Sequence, residues 1–229
     1  MKHYQYLLFD ADETLFDFRR AEYEAFFTTV RSFGCEASET DYAFYSREND
    51  QLWHRHNAGE ITKAFLTVER WRIFAEYMQM SADPCALNEA YKTNLGACSY
   101  LIEGAAPLCR SLKEAGYRLY IITNGIASVQ HHRFNASPLA PLFEKIFISE
   151  ELGAVKPDPA YFSAVLAAIG EPDRDKMLII GDSIDSDIKG GMLSGIDTLW
   201  YNPRRKPLPA DITPTHIADS YSDIHRLLL

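Results

Sequence analysis

Apolar runs and helical stripes divide the chain into segments of different character. Tyr4 to Phe9 reads as a short buried strand that ends at an acid, Asp10. From Phe16 to about Cys98 there is no strand-like run. There, RRAEYEAFFTTVRSF places Ala21, Ala25, Phe26, Val30 and Phe33 at helical spacing, and LTVERWRIFAEYM does the same with Leu66, Trp71, Phe74 and Met78. The stretch predicts three to five helices. Beyond it, PLCRSLKEAGY predicts a helix closed by Gly116, RLYIITNG a strand running into a turn, and KIFIS another strand. DPAYFSAVLAAIG predicts a helix that Gly170 ends, KMLIIGD a strand entering a Gly-Asp turn, DIKGGMLSG a helix and DTLWYN a further strand. Arg204 to Pro214 reads as a proline-rich surface loop before a last short strand and helix.

Helices alternating with strands argue for the α/β class with a parallel, doubly wound sheet. Runs such as YIIT and MLII suit strands buried on both faces. The expected organisation is a core of residues 1–15 and 100–229, with residues 16–99 inserted after the first strand as an all-helical second domain. An insert at that point would sit over the carboxyl ends of the strands, where open α/β sheets bind ligands.

Composition narrows the function without naming it. The chain has 229 residues, 47% hydrophobic and 24% charged, enough for a sizeable core. A formal net charge of -9 disfavours nucleic-acid polymers and anionic membranes as partners. It leaves room for a small anionic substrate at a locally positive site. Cys35, Cys85, Cys98 and Cys109 form no C-x-x-C pair, so reduced thiols in a cytoplasmic protein are expected rather than zinc ligands or disulfides. The apolar run near the N-terminus is too short for a signal peptide, and no segment approaches the ~20 apolar residues of a membrane span.

The candidate chemistry lies where polar residues end or follow expected strands. Asp10, Asp12 and Thr14 follow the first strand, Thr123 and Asn124 end YIITN, Lys156 follows KIFIS, and Asp182, Asp185 and Asp187 follow MLIIG. A parallel sheet would gather these groups at one edge. Several carboxylates packed together require a cation, and an all-oxygen donor set without His or Cys suits Mg2+. In an extended segment Asp10 and Asp12 point the same way, so one can serve as nucleophile on phosphorus and the other as acid and base. Lys156 and the Thr123 hydroxyl would stabilise the phosphoryl oxygens.

DADET, Thr123-Asn124, Lys156 in VKPDP, and GDSIDSD, in this order, resemble the four motifs of the haloacid dehalogenase (HAD) superfamily. The resemblance spans the chain and implies a Rossmann-like core carrying a helical cap. It implies that Asp10 is the nucleophile, Asp12 the acid/base, and Thr123 the phosphate-binding hydroxyl with Asn124 beside it. It further implies that Lys156 orients nucleophile and phosphate. Asp182 would bind Mg2+ with Asp10 and the backbone carbonyl of Asp12, while Asp187 would support metal-bound water. Asp185 stands where a small residue is common, either as a helix N-terminal acid or as an outer-shell group. Dehalogenases resemble this pattern but lack the acid two residues after the nucleophile, so Asp12 favours phosphate transfer.

The stretch LWHRHNAGEITKAFLTVERWRIF, through Trp53, Gly59, Glu60, Ile61, Thr62 and Arg70, is similar to the 5'-nucleotidase branch. The expected activity is therefore a Mg2+-dependent phosphomonoester hydrolase acting on nucleoside monophosphates, a small phosphorylated metabolite. A sugar-phosphate phosphatase and a phosphoglucomutase-like phosphotransferase are the alternatives within the fold. A non-catalytic binding protein is the alternative outside enzymology, and the joint presence of Asp10, Asp12, Lys156 and Asp182 speaks against it. His54/His56 and His131/His132 are spaced so that neither pair shares a helix face, and Arg70 and Arg72 are expected in solvent.

Overall fold

The computed structural model describes residues 4–229; the first three residues of the expected core range lie outside the described ones. Among the described residues, strand β1 (Tyr6–Asp10) precedes helices α1 (Phe18–Ser32), α2 (Glu39–Asn57), α3 (Lys63–Tyr77) and α4 (Pro84–Ala97). The chain continues through α5 (Ala105–Glu114), β2 (Arg118–Thr123), α6 (Ala127–Asn135), β3 (Lys145–Ile148), the single turn α7 (Ser149–Leu152) and α8 (Pro159–Ala168). After β4 (Met177–Gly181), a π-helical turn at Ile184–Ile188 leads into α9 (Lys189–Ser194), β5 (Asp197–Tyr201), β6 (His216–Ala218) and α10 (Tyr221–Leu228). The described residues form two compact units, one of residues 4–18 with Tyr100–Leu229 and one of Arg19–Ser99.

The first unit is built on a parallel sheet in the order β3-β2-β1-β4-β5-β6. Successive crossovers run outward from β1 on one side and from β4 on the other. The switch point therefore falls between β1 and β4, whose carboxyl ends carry Asp10 and lead into Asp182. A doubly wound sheet opens its ligand crevice at such a point.

Alternate side chains feed two hydrophobic layers. Leu7, Phe9, Leu119, Ile121, Leu178 and Ile180 pack on one face with Leu108 and Leu112 of α5, Phe134 of α6 and Ile224 of α10. Leu8, Tyr120, Ile122 and Ile179 pack on the other with Tyr161, Phe162, Val165 and Leu166 of α8. Both faces being covered accounts for the uninterrupted apolar runs in the sequence. The chain leaves and re-enters this unit at adjacent points: Phe16 bridges Leu101, and the Asp17 N–H donates to the Tyr100 carbonyl at 3.0 Å.

The second unit is helical. Ser38 and Asp41 form a reciprocal capping box at the start of α2, Thr62 caps α3, and Asp83 caps α4 ahead of Pro84. Each helix contributes aromatic rings to one core: Phe26, Tyr45, Trp71, Phe74 and Tyr91 are all fully buried and in mutual ring contact. Two expectations fail here. Phe33 lies beyond the end of α1 and is 37% exposed, because the helix stops at Ser32 before the stripe reaches it. Arg70 is not in solvent but 1% exposed. Its guanidinium donates to Asn49, Asn88 and the Thr67 carbonyl and lies 4.6 Å from the Tyr91 ring centroid, so burial leaves it paired.

Candidate active site

Asp10 closes β1 at the sheet's switch point, and Lys156 reaches it from the loop before α8. The Lys156 ammonium, 1% exposed, donates to Asp10 Oδ1 at 2.8 Å, Asp187 Oδ1 at 2.7 Å and the Ile122 carbonyl at 3.0 Å. An ammonium has three donors, and all three are engaged. Burial pulls its pKa down, but Asp10 and Asp187 outweigh that and the net direction is up. Lys156 therefore stays charged and fixes the direction of the Asp10 carboxylate. To bind a phosphoryl oxygen as well, it would have to share a proton already given to another acceptor.

Asp187 lies on the π-helical turn after β4, and its second oxygen accepts from the Ser183 N–H at 3.2 Å. Its fully buried position depends on Gly181: a Cβ there would lie 2.2 Å from Asp187 Oδ2. Asp182 is positioned through its backbone, its N–H donating to Thr14 Oγ1 at 3.1 Å and its carbonyl accepting from Trp200 Nε1 at 3.0 Å. These two bonds leave the Asp182 carboxylate free of backbone duties. Asp185 is exposed on the same turn.

Asp10, Asp182 and Asp187 each present a carboxylate oxygen within 4.8 Å of the other two. Burial, followed by the charges of Asp187 and Asp182, raises the Asp10 pKa despite Lys156. Burial and Asp187 push Asp182 up to about 7. Three carboxylates share one buried ammonium, Lys156, with Lys206 acting on Asp182 from outside, so the cluster keeps a net negative charge that a divalent cation would offset. The donor set is oxygen only and fits a hard cation. Both Asp187 oxygens are engaged, by Lys156 and the Ser183 N–H, whereas Asp10 is bonded to Lys156 through Oδ1.

Thr123 ends β2 and is buried. Its Oγ1 accepts from the Gly125 N–H at 3.0 Å, so its proton remains to be donated. Asn124 is differently employed than a place beside the substrate implies. Its amide donates to the Lys156 carbonyl at 2.8 Å and accepts from the Lys156 N–H at 2.9 Å, clamping the lysine's backbone. Buried Tyr161 supports the same corner: its hydroxyl accepts from the Thr123 N–H and donates to the Phe147 carbonyl.

Asp12, two residues after Asp10, is separate from the carboxylate cluster. Its oxygens accept from Arg133 Nη1 and Gln130 Nε2, each at 2.6 Å. Sequence reading misses Gln130, Arg133 and Tyr161, and it misses the helix α6 that carries the first two. The only available signals were a Gln and an Arg three apart on one helical face after the Asn-Gly turn.

This fold and constellation define the hydrolases built on a switch-point aspartate with a lysine partner. Residues 4–195 match the family of haloacid dehalogenase-like hydrolases, and the chain belongs to that family. It is 35% identical to the HAD-hydrolase YfnB of Bacillus subtilis, whose magnesium-bound crystal structure superposes with a TM-score of 0.94 over 99% of both chains. It is 36% identical to the pyrimidine 5'-nucleotidase PynA of Streptococcus pneumoniae, over 96% of this chain and 93% of that protein. It is 32% identical to the pyrimidine 5'-nucleotidase YjjG of Escherichia coli, over 98% of each. No helix among the described residues is long and apolar enough to cross a membrane.

Proposed function

We propose that this hydrolase is a Mg2+-dependent phosphatase that cleaves phosphate monoesters through an aspartyl-phosphate on Asp10, with nucleoside monophosphates as its substrates. The observation that carries the reading is the buried Asp10 carboxylate, aimed by Lys156 at 2.8 Å, with a second acid at Asp12. Asp10 Oδ attacks phosphorus and the ester P–O bond breaks, its electron pair leaving with the alkoxide. Asp12 donates the proton that the alkoxide needs. Asp12 then takes a proton from water, the water oxygen attacks phosphorus, and Asp10 departs from inorganic phosphate. The Thr123 hydroxyl donates to a phosphoryl oxygen throughout. Asp10, Asp182 and the Asp12 carbonyl would hold the divalent cation, which would supply charge neutralisation for the approaching anion.

The substrate class rests on the two full-length relatives named as pyrimidine 5'-nucleotidases. The test is phosphate release from a panel of nucleoside monophosphates and sugar phosphates, with Mg2+ and with excess chelator. Mg2+-dependent release that favours nucleotides supports the whole reading. Release confined to sugar phosphates discards the nucleotide assignment, and an isomerised sugar phosphate without free phosphate discards the hydrolase mechanism.

A further inference from the structure

Helix α6 buries four residues, Val129, Gln130, Arg133 and Phe134, and half of that face is polar. Burying a guanidinium and an amide is costly unless partners offset it, and here the hydrogen bonds go through Arg133 Nη1 and Gln130 Nε2, while Arg133 Nη2 and Gln130 Oε1 are buried without one. Both side chains point to one place. Arg133, with its side chain 0% exposed, gives Nη1 to Asp12 Oδ1, and Gln130 gives Nε2 to Asp12 Oδ2. The guanidinium is held by the rings of Phe16 and Phe18, whose centroids lie 4.8 and 6.0 Å from its central carbon.

A second, independent feature serves the same contact. At Gly125 a Cβ would stand 2.2 Å from Gln130 Nε2 and 2.7 Å from its Cγ. The glycine that follows Thr123-Asn124 is thus what lets the Gln130 side chain pass across the loop to Asp12.

We infer that Gln130 and Arg133 are positioning residues for the acid–base group: each holds one oxygen of Asp12, so α6 sets where that carboxylate stands when it exchanges a proton with the leaving group. The inference rests on the acid–base role proposed for Asp12. Each carboxylate oxygen has two lone-pair directions, so one bond to each leaves the carboxylate fixed but still able to exchange a proton. Arg133 acts as a fork braced by two rings, and Gln130 as a second point of attachment that prevents rotation about the Cβ–Cγ bond.

The deciding experiment compares kcat/KM for p-nitrophenyl phosphate, whose leaving group needs little protonation, with that for a nucleoside 5'-monophosphate, whose alkoxide needs it fully. The variants are Gln130→Ala, Gly125→Ala, Arg133→Met, Arg133→Lys and Asp12→Asn. The inference predicts that Gln130→Ala, Gly125→Ala and Arg133→Met lower the alkyl-to-aryl ratio by about 10-fold or more, within the range of general acid catalysis. Arg133→Lys restores part of the ratio. In an Asp12→Asn background the α6 variants shift the ratio by less than about 2-fold, because they act through the same group.

A shifted ratio in Asp12→Asn with unshifted ratios in Gln130→Ala and Gly125→Ala overturns the inference and leaves the mechanism standing. Full additivity with Asp12→Asn also overturns it. An Asp12→Asn variant with the wild-type ratio removes the acid–base role itself, and the inference falls with it. Should Arg133→Met fail to fold, Gln130→Ala and Gly125→Ala still decide.

Discussion

Lys156 donates to Asp10 at 2.8 Å from a position that is itself 1% exposed. The ammonium stabilises the carboxylate cluster and also aims the group proposed as nucleophile. Stability and activity are therefore joined at one side chain, and the two can be separated by experiment.

Lys156→Met removes the buried positive charge paired with both Asp10 and Asp187. Breaking one side of a buried pair costs about 3–5 kcal/mol. Chemical denaturation should show a loss of that order in the metal-free protein, and turnover should fall with it. Mg2+ should recover a larger share of the variant's stability than of the wild type's, because the excess negative charge has grown. Equal recovery in both proteins would argue against the charge balance described for the site.

The carboxylate cluster also sets a pH dependence. Asp182 moves from an ordinary value of 3.8 to about 7 in the metal-free protein, through burial and then Asp187, and Asp10 moves the same way. The folded form then binds protons more tightly than the unfolded chain. Stability falls as pH rises from about 4 to about 7, and the penalty is fully present above that. Asp41, Glu69 and Glu144 shift downward and act below this window. Thermal melts in chelator should show Tm dropping across the window, with Mg2+ adding more stability at about pH 8 than at about pH 5, where protons compete for the same oxygens. A metal-free Tm that climbs through the window contradicts the assignment.

In the helical unit, Asn49 bridges two buried opposite charges. Its Nδ2 donates to Glu22 Oε1 at 2.7 Å, and its Oδ1 accepts from Arg70 Nη1 at 3.2 Å. Ser46 and Tyr42 also donate to Glu22, whose pKa burial raises. Asn49→Leu and Arg70→Leu should each destabilise the protein by about 1–3 kcal/mol, since each strands a buried polar group. Urea denaturation checks this; a loss below about 1 kcal/mol would show that the network relaxes to water.

The parallel sheet is legible in the sequence because YLLF, YIIT and MLII are buried on both faces and no polar alternation interrupts them. Helix α6 is not legible, because Gln130 and Arg133 occupy its inner face and break the apolar stripe where it meets Asp12. Arg70 misleads for the same reason: its residue type predicts solvent, and only its fold partners Asn49 and Asn88, 21 and 18 positions away, reverse that. The acids at the strand ends stand out as residue types in a motif. That the Asn124 amide clamps the backbone of Lys156, 32 positions away, is a property of the packed loops alone.

The central claim is covalent chemistry at Asp10, and reductive trapping tests it most directly. The wild-type enzyme is mixed with Mg2+ and a nucleoside 5'-monophosphate, quenched during turnover, and treated with borohydride, which reduces an acyl phosphate to an alcohol. Peptide mass spectrometry should then find homoserine in place of aspartate at position 10, in substrate-treated samples only. Ongoing phosphate release with an unmodified Asp10, or with the label on another carboxylate, would contradict the mechanism.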